Sequence, residues 1–279
     1  MKTGEELKVV AKYPISHAIY CLIIVQDIVC LGCQQDLKLL DLKTSSIVDF
    51  QKSEQPVITI LPDQRNQSII ITLSGNGIIQ VVDLKTKVLV YRVKAFEKVQ
   101  CMVNTSTTNK YAFATNKGVI FGFLDTQKGY KYTKDKDEAY LTGQTIDQIA
   151  EIDGKLLVTT SHLVQVSDHD TSWGWRNETR YHSTLIDRKT KKEIKFSDEV
   201  SFHSMKQVKG RKDLLMAYMN GLCFLDINYL KVTHFYSYGI CDLNFTNTFC
   251  QVDNGSELKL GIVSYDKKVS AVKVCSLKY

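Results

Sequence analysis

Five segments of this chain close an apolar run with aspartate and then turn: "LKLLDLKTSSIV", "IIQVVDLKTKVLV", "VIFGFLDTQKGYKY", "STLIDRKTKKEIKF" and "LCFLDINYLKVTHF". The aspartates are Asp41, Asp83, Asp125, Asp187 and Asp226, spaced by 42, 42, 62 and 39 residues. A weaker sixth copy, "VSAVKVCSLKY", puts Ser276 at the equivalent point, 50 residues after Asp226. A recurrence of this kind means one supersecondary unit used repeatedly, each copy too small to bury its own apolar faces and therefore stacked on its neighbours.

The unit is made of strands. "AIYCLIIV", "PVITILP", "SIIITL", "KYAFAT", "KLLVTT" and "KLGIVSY" are short, rich in β-branched and aromatic residues, and bounded by Gly, Asn, Asp and Lys. In the second copy "PVITIL", "SIIITL", "IIQVVDL" and "KVLVYRV" read as strands a to d. "SGNG" and "KTK" supply tight-turn chemistry between b and c and between c and d. The pattern resembles the WD-repeat β-propeller family over nearly the whole chain. "GNGIIQVVDLKTKVLV" is the best single match. The tryptophan of the Trp-Asp pair is replaced by Leu, Val or Ile in every copy, and the Gly-His pair survives at best as Ser16-His17. The resemblance implies an all-β fold, a single propeller of about six four-stranded blades with seven as the variant count. A generic sandwich or barrel leaves the spacing unexplained. The last copy ends without a d strand, while "ELKVVAKY" near the N-terminus is unassigned. The N-terminal strand is therefore expected to close the last blade. Residues 1–279 read as one propeller domain with an enlarged b–c hairpin at about 162–182 in blade four.

That hairpin accounts for the 62-residue spacing. "SDHDTSWGWRNETRYH" holds both tryptophans of the chain and no aliphatic residue long enough to build a core. Three readings stand: a tolerated surface excursion, a recognition loop, and a metal site. For recognition, Trp173, Trp175 and Tyr181 offer rigid contact area and Arg176 and Arg180 offer bidentate donors, the residue types that dominate interface hot spots. Asp168, His169, Asp170 and His182 are plausible ligand types, but from a regular strand they do not converge on one ion. The segment also resembles a sialidase aspartate box, with His169 where Asp belongs and no second copy, so no sialidase function is carried over. By resemblance to the family, b–c and d–a loops share a top face, and a–b and c–d loops share the bottom.

Basic residues gather on that bottom face: Arg188, Lys189, Lys191 and Lys192 in the c–d turn of blade four, and Lys209, Arg211 and Lys212 in the a–b loop of blade five. Lys43, Lys85, Lys87 and Lys128 occupy other c–d turns. They are either solubilising turn residues or a positive face for the phosphates of nucleic acid or lipid. A net charge of +6 permits an acidic partner without demanding one. The Phe-Arg-Arg-Gly motif of phosphoinositide-binding propellers is missing.

Catalytic signatures are not found. There is no Walker loop, no G-x-S-x-G and no H-E-x-x-H. Cys30-Leu-Gly-Cys33 is a lone C-x-x-C without the second pair that zinc needs. The eight cysteines, mostly within apolar strands and with no export signal in the sequence, read as reduced thiols of cytosol or nucleus. No run of 18 apolar residues suggests a membrane span. The expectation is a noncatalytic protein-interaction scaffold with no cofactor and no metal, part of a larger assembly. The alternative is a propeller that binds nucleic acid or an anionic surface through its basic bottom face.

Overall fold

The computed structural model describes residues 2–3, 8–16, 18–125, 129–167, 175–195, 204–207, 213–218, 221–229, 231–237, 249–253, 257–266 and 269–278. Two N-terminal strands come first, β1 (Lys2–Thr3) and β2 (Lys8–Ile15). Blade one is β3 (Ile19–Val25), β4 (Ile28–Cys33), β5 (Asp36–Asp41) and β6 (Ile47–Lys52). Blade two is β7 (Val57–Pro62), β8 (Ile69–Ser74), β9 (Ile78–Asp83) and β10 (Val88–Lys94). Blade three is β11 (Val99–Asn104), β12 (Lys110–Thr115), β13 (Gly118–Asp125) and β14 (Lys131–Tyr140). Blade four is β15 (Ile146–Ile152), β16 (Lys155–Ser167), β17 (Trp175–Asp187) and β18 (Glu193–Lys195). Blade five is β19 (Ser204–Gln207), β20 (Asp213–Tyr218), β21 (Gly221–Asp226) and β22 (Lys231–Ser237). The last sheet contains β23 (Phe249–Asp253), β24 (Glu257–Asp266) and β25 (Val269–Lys278).

These strands form six antiparallel sheets among the described residues, arranged as a β-propeller. The inner a strands touch in order from β3 through β7, β11 and β15 to β19, and β23 returns to β3. The closing strand is N-terminal, as the repeat pattern requires: β2 pairs with β25 from Lys8↔Ser276 to Ile15↔Ser270. A feature not expected from the sequence is a fifth strand on blade five. There β1 lies parallel to β22 and pairs Lys2↔His234 and Thr3↔Phe235.

In blades one to four burial falls from the middle strands to the outer strand. Every residue of β8 is buried and all of β9 but Asp83, because neighbouring blades cover both faces. That is why "SIIITL" and "IIQVV" are continuous apolar runs rather than alternating ones. The core lies between blades. Leu73 and Val81 of blade two pack with Met102 and Phe113 of blade three, and Phe121 of blade three with Ile149 and Val158 of blade four. Val272 of β25 joins the blade-one cluster and ties the last sheet to the first. The "SGNG" turn needs its second glycine. Gly77 has φ +80°, and a Cβ there would sit 2.2 Å from the Phe96 carbonyl oxygen.

Candidate functional site

The recurring aspartate has a local structural role. Asp41 Oδ1 accepts the backbone N–H of Lys43 at 2.8 Å and of Thr44 at 3.0 Å. Asp83 does the same for Lys85 and Thr86, Asp187 for Lys189 and Thr190, and Asp226 for Asn228 and Tyr229. Each caps the c–d turn with its side chain, which is what Asp does in turns. These backbone bonds hold the carboxyls of Asp41 and Asp187 below the usual range. The residue four after the aspartate takes a left-handed conformation in three blades: Ser45, Lys87 and Lys191 have φ of 57°, 57° and 58°. In blades one, two, four and five the motif's aspartate shapes the c–d turn.

The next position explains Arg188. The residue after the aspartate packs inward in the other blades: Leu84 and Ile227 are buried and Leu42 leans on the blade-one cluster. Its N–H also bonds the a–b side of its own blade, Leu84 to the Ser68 carbonyl and Arg188 to the Gly154 carbonyl. Arg188 therefore does not stand out on a basic face. Its Nε and Nη2 donate to Glu138 Oε1 and Oε2 at 2.7 and 2.9 Å, and its Nη1 to Glu151 at 3.3 Å. Lys110 Nζ shares Glu138 Oε2 with Arg188 at 2.6 Å and binds Asp135 at 2.7 Å. Both cations lie over the Phe121 ring, at 4.8 and 5.2 Å from its centre. Ser106 Oγ and the Gly154 N–H also donate to Glu151. Burial raises the Glu138 carboxyl, but Arg188 and Lys110 more than reverse this and hold it below its usual range. Burial and the adjacent Glu138 push the Tyr140 phenol up to about 12.

This network borders an open cleft of about 840 Å³ between blades three and four. Its two inner cations answer three carboxylates, so it holds two blades together and presents no unbalanced positive charge. Lys189, Lys191 and Lys192 remain exposed around it. Lys43 is paired with Asp27 at 2.7 Å. Lys209, Arg211, Lys212 and Lys128 lie outside the described residues. Arg188 lies in the c–d turn of blade four as expected, but its ion pairs were not legible because its carboxylates stand 50 and 37 residues away. The signal that could have placed it was the repeat register, which aligns Arg188 with Leu42, Leu84 and Ile227.

The long hairpin of blade four is a paired ribbon for most of its length. β16 and β17 pair from Lys155↔Asp187 to Ser167↔Trp175. The flanking strands stop early: β15 reaches only Thr160 of β16, and β18 only Thr184 of β17. From Ser161↔Tyr181 onward the two strands pair with no third strand among the described residues. Trp175–His182, read from sequence as part of an enlarged b–c hairpin, is strand. Arg180 and Tyr181 are half-buried on the ribbon, Leu163 is 73% exposed, and the His162 and His182 rings stack at 4.6 Å with planes 8° apart. Parallel rings do not aim their nitrogen lone pairs at a common ion. Of the other expected contact residues, Trp173 lies outside the described residues, as do Asp168, His169 and Asp170. Trp175 and Arg176 are placed in the ribbon backbone.

Cys30 and Cys33 are fully buried in β4, three residues apart and so on opposite faces, and burial with the nearby Asp36 pushes the Cys33 thiol up to about 12. Among the described residues no three His, Cys, Asp or Glu side chains are grouped to hold a metal, and no helix is long and apolar enough to cross a membrane.

Comparison with known proteins defines a class and stops there. No family model matches the sequence, and no curated protein matches it. Among solved structures, a chain from "Crystal Structure of Mitotic Checkpoint Complex" superposes with a TM-score of 0.65 at 8% identity, covering 100% of this chain and 95% of that one. As 1479 chains of solved structures resemble this one, the likeness establishes the propeller fold and selects no function.

Proposed function

We propose that this chain is a noncatalytic protein-interaction scaffold, a degenerate relative of the WD-repeat propellers. It presents the blade-four ribbon to a protein partner within a larger assembly of the cytosol or nucleus. The observation that carries the reading is the unsupported ribbon beyond Ser161↔Tyr181. A two-stranded hairpin alone is marginal in water, and this one carries Trp175, Arg176, Arg180 and Tyr181, with Trp173 nearby in sequence outside the described residues. The structural resemblance to a chain from a multiprotein complex is compatible with such a role. The anionic-surface alternative is weakened by the engagement of Arg188 and Lys43 in ion pairs.

The test replaces Trp173 and Trp175 by alanine. The melting temperature should stay nearly unchanged. Proteins captured from native extract should be lost in a manner insensitive to salt, with affinity for the captured partner reduced by about 2 kcal/mol or more, the scale of an interface hot spot. Capture of nucleic acid that falls steeply with salt would favour the basic face instead. A destabilised variant that still binds once folded would make the tryptophans structural.

A further inference from the structure

The propeller's outer d strands are exposed sheet edges, and most are protected in recognisable ways. Blade five is covered by β1. Blade three ends in β14, whose sequence "KYTKDKDEAY" is charged along its length. Blade four ends in β18, of which three residues are described. The closing strand β2 carries Pro14, and β6 carries Asp49 and Lys52. The outer strand of blade two also carries charge, but Arg92 and Lys94 are of one sign and follow three exposed apolar residues. β10 reads "VLVYRVK", and its far edge has no strand partner among the described residues. Val88, Leu89 and Val90 are 53, 38 and 44% exposed in succession.

Charge around this edge has one sign. Lys85 and Lys87 precede the apolar run and Arg92 and Lys94 follow it, all exposed, and no acidic residue occurs between Leu84 and Phe96. Glu54 reaches Arg92 from the preceding link at 3.1 Å and is the one carboxylate bonded to the strand's cations. The bulge between Leu89 and Tyr91 interrupts pairing with β9 and leaves Tyr91–Lys94 as the regular part of the ladder. The molecule already uses strand addition once, where its own N-terminal residues extend blade five.

We propose that the outer edge of blade two is a strand-addition site for an extended segment of a partner protein, with a β-branched apolar centre and acidic flanks. Main-chain hydrogen bonds along Tyr91–Lys94 would supply the pairing. Val88, Leu89 and Val90 would bury against the apolar centre, and the two pairs of cations would select the acidic ends and reject basic ones. The site is separate from the blade-four ribbon and does not rest on it.

The probe is a synthetic peptide, Asp-Glu-Val-Thr-Ile-Thr-Val-Glu-Asp, labelled for fluorescence anisotropy and added to the full chain. Saturable binding is expected, with amide exchange slowed in Tyr91–Lys94. A protein carrying Lys85→Glu, Lys87→Glu, Arg92→Glu and Lys94→Glu should bind at least about tenfold more weakly, with an unchanged melting temperature because all four residues are exposed. A peptide N-methylated at alternate residues should lose binding while keeping its charge. The proposal is overturned by no saturable binding up to about 1 mM, by equal binding of the N-methylated peptide, or by equal binding to the charge-reversed protein. It is also overturned if a single-stranded oligonucleotide binds this edge more tightly than the peptide. A concentration-dependent dimer dissolved by Val88→Lys would assign the edge to a second copy of the chain.

Discussion

Blades two and four begin with the same sequence signals and diverge in how much strand they carry. In blade two, b and c are six residues each, Ile69–Ser74 and Ile78–Asp83, and all but Asp83 are buried. In blade four the corresponding strands are 13 residues each, and among the described residues only Lys155–Thr160 of β16 and Thr184–Ile186 of β17 have strand neighbours on both sides. Six residues per strand are enough to bury a blade between its neighbours. The additional length in blade four lies beyond the part of these strands that is paired on both sides among the described residues.

The largest contrast should come from paired truncations of apolar side chains. Ile71→Ala in β8 empties a site with no exposure and should cost about 3 kcal/mol. Leu163→Ala on the ribbon should change stability by no more than about 0.5 kcal/mol. Chemical denaturation of the two variants reads both values, and a large loss at Leu163 would mean that the ribbon packs on the propeller.

A smaller effect is expected where blade four departs from the inward-packing rule. Arg188→Leu restores the residue type of the other blades but removes a cation from Glu138 and Glu151. It should cost about 2 kcal/mol at neutral pH because buried carboxylates lose a partner. The folded state holds Glu138 below its ordinary value, so this stabilisation is present above the unfolded carboxylate range of about 4.3 and is lost as pH falls through the lower folded value. The difference between wild type and variant should therefore shrink below about pH 4 in acid-denaturation curves. A constant difference across that range would detach Arg188 from Glu138.

The smallest effect should be the same in both blades. Lys87 and Lys191 adopt φ of 57° and 58° at matched positions of the c–d turn. Replacing either with glycine relieves left-handed strain but adds freedom to the unfolded chain, for a net gain of about 0.5 kcal/mol. Unequal gains, measured by thermal melts, would show that the two turns are not equivalent.

What could be read in advance follows from range along the chain. The turn-capping aspartates were legible because Asp41, Asp83, Asp187 and Asp226 bond only to residues two and three positions on. The closing strand was legible because a last repeat without a d strand leaves one slot, and the N-terminus held the one unassigned strand. The ion pairs of Arg188 were not legible because its partners come from another blade and from the first strand of its own, far away in sequence. The fifth strand of blade five was not foreseen because Lys2–Thr3 is too short to show a period and pairs more than 200 residues away. The ribbon was located by its surplus length. How far its strands extend was not legible because no alternation marks where pairing ends.

The central claim, that the ribbon is dispensable for folding and required for partner binding, is tested most directly by removing it. Residues from Ser161 to Tyr181 are replaced by an Asn-Gly turn, which joins Thr160 to its cross-strand neighbour His182. Melting temperature and partner capture are then compared with the full chain. The account predicts a shift of no more than about 2 °C, the equivalent of about 1 kcal/mol in a domain of this size, together with loss of the captured protein. A fall of 10 °C or so, or undiminished capture by the shortened protein, would contradict it.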